Sequence, residues 1–195
     1  MNQFYAYMAR LKLIRRWGLM RNTQSENDAE HSLQVAMMAH GIALLGKTRY
    51  GRDVDEEHVI ALAVYHDAVE VMTGDMPTPV KYFDPEIKAA YASVENKARE
   101  SLVAMLPPEL QEPVNRCMGE KDTYEARIVK AADKISAYVK CLEEERAGNH
   151  EFDYAAKTIR SSLDAIDIPE VQDFLHEMIP AFLLTLDELN SGVLT

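Results

Sequence analysis

At 195 residues, with 47% hydrophobic and 27% charged side chains, the chain has the size and mix of one globular domain with its own core, which excludes intrinsic disorder. Its formal charge of -11, from 21 Lys and Arg against 32 Asp and Glu, is the wrong sign for broad capture of nucleic acid or anionic lipid. A phosphate-bearing ligand must therefore meet a local basic group or a metal ion, and no apolar run approaches the ~20 residues of a membrane span.

The amino terminus lacks the basic stretch and apolar segment of a secretory signal, so a cytoplasmic location is expected. Helical periodicity runs throughout and no alternating segment suggests a sheet, which predicts an all-α protein of one domain, residues 1–195. The first helix is expected over residues 3–15, ended by Trp17-Gly18. A polar loop follows, with Asn27 as the N-cap and Glu30 as its reciprocating carboxylate for a helix to about Leu45. Residues 53–72 read as one helix closed by Thr73-Gly74. Two prolines within Asp75-Met76-Pro77-Thr78-Pro79 predict a stiff, non-helical loop suited to presenting side chains. Further helices are expected over 85–105, 108–118, 122–147, 151–165 and 169–190. Cys117 and Cys141 form no C-x-x-C pair and read as buried or half-buried thiols.

The strongest chemical signal is Tyr65-His66-Asp67-Ala68-Val69-Glu70, where an ionisable doublet interrupts an apolar run. A desolvated carboxylate persists only if it is paired or metal-bound. On a continuous helix, Glu70 would lie one turn beyond the doublet on the same face. By itself the doublet also fits a buried His-Asp hydrogen bond. His31 shares a stripe with Val35, Met38 and Ile42, and Asp133 lies four residues from both Val129 and Ala137. Taken singly, each is also explained as a core histidine or as an ion pair with Lys130, Lys134 or Lys140. Together, two imidazoles and two carboxylates from three helices form a donor set suited to Mn, Co, Fe or Zn and too nitrogen-rich for Ca. Four protein ligands around an octahedral ion leave two positions, one for water and one for a substrate oxygen.

A separated His31, the His66-Asp67 doublet and the distant Asp133 resemble the metal signature of the HD-domain phosphohydrolases. The segments Arg16-Trp17, Glu30-His31-Ser32, Tyr65 to Glu70 and Thr73-Gly74-Asp75-Met76-Pro77-Thr78-Pro79-Val80-Lys81-Tyr82 narrow the likeness to the bacterial 5′-deoxynucleotidase branch. The resemblance implies a helical HD-domain bundle that hydrolyses 2′-deoxyribonucleoside 5′-monophosphates with a divalent metal such as cobalt or manganese, as a homodimer. It implies His31, His66, Asp67 and Asp133 as metal ligands, with His31, Asp67 and Asp133 also bordering the nucleotide. Arg16 would orient the phosphate, Trp17 would lie against the sugar, and Asp75, Met76, Pro77 and Thr78 would line the nucleotide site. Glu70 is expected to assist proton transfer, as base or acid. Asp75 either protonates the leaving oxygen or caps a turn, and Thr78 binds phosphate or only its own backbone.

Alternatives are an HD phosphohydrolase acting on a triphosphate, cyclic or signalling nucleotide, or a metal-stabilised helical interaction module without turnover. A ferritin-like di-metal protein would need Glu-x-x-His pairs, and no His here has a Glu three residues before it. His40, His58, His150, His176 and the run Glu143-Glu144-Glu145 read as solvated.

Overall fold

The computed structural model describes residues 1–81 and 83–192, so Tyr82 and residues 193–195 lie outside the described residues. The helices are α1 (Phe4–Met8), α2 (Asp28–Tyr50), α3 (Glu56–Tyr65), α4 (Glu70–Thr73), α5 (Thr78–Lys81), α6 (Pro85–Val103), α7 (Pro108–Gly119), α8 (Tyr124–Arg146), α9 (Asp153–Asp164), α10 (Pro169–Glu177) and α11 (Leu186–Ser191). Among the described residues no strand forms, only an isolated bridge between Arg15 and Asn27. The expected all-α class holds.

The long helices α2 and α8 carry the core, with α3, α9 and α10 packed around them. Val35, Ala39 and Ile42 of α2 meet Val59 and Ala63 of α3 and Ile128, Ala132 and Ile135 of α8, all fully buried. His31 and Asp133 extend these apolar stripes, so the packing that stabilises the bundle also brings the two together. A smaller cluster of Phe4, Leu102 and Leu106 fixes α1 against α6.

Several expected boundaries move. The helix over 3–15 ends at Met8 and continues only as a 3₁₀ turn, Leu11–Leu13. Beyond it the Arg16 amide donates to Glu26 O and the Asp28 amide to Ile14 O, which draws the chain into an extended pairing with the stretch before α2. Asn27 caps α2 as expected, accepting from the amides of Ala29 and Glu30, but the expected return bond to Glu30 does not form, and α2 runs on to Tyr50. The helix expected over 53–72 breaks at the doublet, where Ala68 N–H bonds to Tyr65 O and Glu70 N–H to Asp67 O in tight turns rather than α-helical spacing. His66, Asp67 and Glu70 therefore do not share one helix face.

The loop predicted from the two prolines is partly helical: Thr78–Lys81 forms α5, with Pro79 in its first turn, where a missing N–H costs nothing. The helix expected over 169–190 divides at Met178, before Pro180, into α10, a 3₁₀ turn Ile179–Leu183 and α11. Two surface assignments are also corrected. Glu144 is 1% exposed because it faces inward from the acidic run to accept several hydrogen bonds. His58 is half-buried, with Nε2 3.2 Å from each Glu120 carboxylate oxygen.

Candidate active site

The first turn of α2, the end of α3 and the middle of α8 converge on one cluster. His31 is fully buried, with Nδ1 3.2 Å from Ser136 Oγ and Nε2 3.1 Å from Asp133 Oδ1. His66 ends α3 and donates from Nδ1 to the Ala63 carbonyl at 2.7 Å, a contact that fixes the ring and turns Nε2 inward. That Nε2 is buried and faces the carboxylate of Asp67. One ligand atom from each of His31, His66 and Asp133 lies within 4.8 Å of the other two.

Asp67 stands beside this group, its Oδ2 3.0 Å from His66 Nε2, 3.7 Å from His31 Nε2 and 3.2 Å from Arg16 Nη1. Of the four expected ligands, three form a compact group, and the fourth is shared between the imidazoles and the guanidinium. Ligands ~2.1 Å from a transition metal lie about 3 Å apart when adjacent, and the separations of 3.1 and 3.0 Å match this. The inward-facing imidazole nitrogens and the mixed N/O donors fit a divalent ion.

The charges reinforce one another. Burial opposes charging of His66, yet Asp67 carries it up to about 9. Burial likewise opposes the charge on Asp67, but His66, His31 and Arg16 hold its carboxyl well below the usual range. Burial pushes Glu70 up to about 10, and Asp67, Asp28 and Asp75 add to that rise. Asp75 also moves upward through burial. A carboxyl kept protonated beside an ionised one can donate a proton.

Arg16 reaches the cluster because the extended pairing pins its backbone, while its Nε lies 3.3 Å from Glu26 Oε2. Trp17 donates from Nε1 to the same oxygen at 2.9 Å and sets its ring against Phe152, with centroids 5.2 Å apart. Its φ of 58° lies in the left-handed region, which costs a side-chain-bearing residue on the order of 1–2 kcal/mol. Asp75, Met76 and Pro77 are half-buried on the segment leading into α5, and Thr78 at its start is exposed.

A cavity of about 210 Å³ separates His66, Asp67 and Glu70 from the basic Lys81, Arg99 and Lys121. A second, of about 330 Å³, also borders His66 and reaches Asp133 and Lys130. Sequence reading missed Arg99 and Lys121, which no motif distinguishes from surface cations. It also missed Asp28, fully buried with neither oxygen hydrogen-bonded and Oδ1 in an ionic contact with Arg16 Nη1 at 3.9 Å. Asp28 lies three residues before His31 on the same stripe, a signal masked because acidic residues are ordinary in a first helical turn.

Residues 3–182 match the 5′-deoxynucleotidase YfbR-like family. The chain is 49% identical over 191 residues to a 5′-deoxynucleotidase of Vibrio vulnificus, covering 97% of this chain and 98% of that one. It is 46% identical over 195 residues to a 5′-deoxynucleotidase of Photorhabdus laumondii, covering 99% of both. In fold it superposes on an HD-domain phosphohydrolase from Listeria innocua with a TM-score of 0.82 at 23% identity, covering 96% and 92% of the two chains. A cyanophage S-2L HD phosphohydrolase bound to dA and one catalytic Zn²⁺ gives a TM-score of 0.62 at 24% identity, covering 91% and 95%.

Proposed function

Since the chain belongs to the YfbR-like 5′-deoxynucleotidase family, we propose that its convergent cluster is the catalytic site for hydrolysing 2′-deoxyribonucleoside 5′-monophosphates to deoxyribonucleoside and phosphate. The enzyme is a metal-dependent phosphomonoesterase with a nucleotide substrate. The observation that carries the residue assignment is the convergence of ligand atoms from His31, His66 and Asp133 within 4.8 Å of one another, with Asp67 and the Arg16 fork alongside.

His31, His66, Asp67 and Asp133 hold the divalent ion. When bound, the ion supplies a Lewis acid and a means of lowering the pKa of water. Arg16, already aligned on Asp67, orients the phosphate and neutralises part of its charge, the main requirement in phosphoryl transfer. Glu70 assists proton transfer beside the ion, in the protonated form that its burial among other carboxylates favours. Asp75 protonates the departing 5′ oxygen, consistent with a carboxyl pushed upward. Trp17 packs against the sugar, and Met76, Pro77 and Thr78 border the nucleotide.

Cobalt or manganese is the proposed ion, since imidazole with carboxylate suits such metals. We assign the chain a single domain over 1–195, a cytoplasmic location and no nucleic-acid or membrane partner; no described helix is long and apolar enough to cross a membrane. A homodimer is supported by the exposed stripe Leu33, Met37 and Leu44 on α2.

Sugar selection gives the test. An indole filling the space of a 2′-hydroxyl rejects ribose by overlap, which can exceed the ~10²-fold of a pocket that merely fails to bond it. With kcat/KM measured for 2′-deoxyadenosine and adenosine 5′-monophosphates, Trp17→Ala is expected to raise the ribo rate relative to the deoxy rate, even if looser positioning lowers both. An unchanged ratio would move sugar selection to the segment from Asp75 to Thr78.

A further inference from the structure

Asp133, Ser136, Lys140 and Glu144 follow one another at three and four residues and form a single polar stripe along α8. Asp133 belongs to the His31, His66 and Asp133 group, and Ser136 Oγ lies 3.2 Å from His31 Nδ1. Lys140 and Glu144 lie farther along and are 5% and 1% exposed.

Glu144 accepts from the Thr23 amide at 3.1 and 2.9 Å through its two oxygens, from Thr23 Oγ1 at 2.8 Å and from the Gln24 amide at 3.3 Å. Lys140 ion-pairs with Glu144 and donates to the Gln24 carbonyl at 2.6 Å. Asn149 donates at 2.7 Å both to Glu144 Oε2 and to the Arg21 carbonyl. Residues 21, 23 and 24 of the loop carrying Trp17 are thus tied to α8 and its end. The same lysine also lies 5.7 Å from the centroid of Phe152, and Phe152 is the ring against which Trp17 packs.

A buried carboxylate and ammonium are expensive to desolvate and are kept where the pair fixes a specific arrangement. Here they hold backbone from a neighbouring loop. We propose that Lys140 and Glu144 are positioning residues that set the indole of Trp17 and thereby the enzyme's discrimination between deoxyribose and ribose. This rests on the reading of Trp17 as the sugar contact. The pair acts through the loop and through Phe152, and it touches neither metal ligand nor substrate.

Trp17 is the single tryptophan of the chain, so its fluorescence reports the loop without reference to turnover. The experiment compares wild type, Glu144→Ala, Asn149→Ala and Lys140→Arg for acrylamide quenching, bound metal, and kcat and KM on 2′-deoxyadenosine and adenosine 5′-monophosphates. In Glu144→Ala, quenching should rise about 2-fold, the deoxy KM roughly 10-fold with a smaller change in kcat, and the deoxy-over-ribo preference should fall. Bound metal should be unchanged. Lys140→Arg, which keeps the cation, should retain most of the preference.

If Glu144→Ala does not fold, Asn149→Ala carries the test, since it removes the Arg21 anchor at the edge of the network and should show the same shifts at smaller size. A folded variant with wild-type quenching and an unchanged sugar ratio overturns the proposal. A wild type without turnover would instead break the nucleotidase reading, while the quenching comparison would still decide whether the pair sets Trp17.

Discussion

The two ends of the α8 stripe are opposites. Around Asp133, buried polar atoms are poorly satisfied: Glu70 Oε2 forms no hydrogen bond, and His66 Nε2 and Asp28 Oδ1 have ionic contacts, to Asp67 and Arg16, in place of hydrogen bonds. Eleven residues on, about 16 Å along the helix axis, the oxygens of Glu144 accept from Thr23, Gln24 and Asn149, with Lys140 alongside. Unsatisfied buried groups cost the full desolvation penalty and persist where another species completes them, whereas a satisfied network specifies the arrangement of the chain itself. One end is built to receive a ligand, the other to hold the loop that faces it.

The largest expected effect lies at the unsatisfied end. Asp133→Ala removes an anionic ligand and leaves helix propensity favourable, so stoichiometric metal and turnover should be lost together. Metal analysis beside a phosphate-release assay checks this, and a variant that keeps both breaks the comparison.

Glu70→Gln is expected to retain metal while the rate falls by about 10² or more, the usual scale for acid-base assistance. Loss of metal from that variant would make Glu70 a ligand or a support for one.

At the satisfied end the expected effect is on stability. The interactions of Glu144 outweigh its burial and lower its carboxyl to about 2. A depressed folded value stabilises above the unfolded pKa, so this contribution is complete at pH 7 and declines as pH falls from about 4.5 toward 2. Urea unfolding of Glu144→Gln should show a loss on the order of 3 kcal/mol at pH 7 that narrows by pH 3. A loss independent of pH would assign the effect to packing alone.

The sequence exposed one end of the stripe more readily than the other for the same physical reason. His31 and Asp133 stand out because they interrupt apolar helical stripes. Glu144 sits between two other glutamates and looks like wet surface, although Ser136 and Lys140 mark its inward register. Local patterns also said little about tertiary competition. The pairing of Arg15 with Asn27 takes up the end of the stretch expected as the first helix, and the turn at His66-Asp67 divided a segment whose apolar periodicity was continuous. The helical class was legible throughout, whereas Asp28 became distinguishable only once its burial beside the cluster was known.

The most direct measurement is phosphate release from 2′-deoxyadenosine 5′-monophosphate by chelator-stripped protein during titration with Co²⁺ or Mn²⁺, with bound metal quantified in the same samples. Turnover should be absent without metal and return in proportion to occupancy of the His31, His66, Asp67 and Asp133 site in wild type, but not in Asp133→Ala. Full turnover by metal-free wild type, or metal-restored turnover in Asp133→Ala, would contradict that assignment.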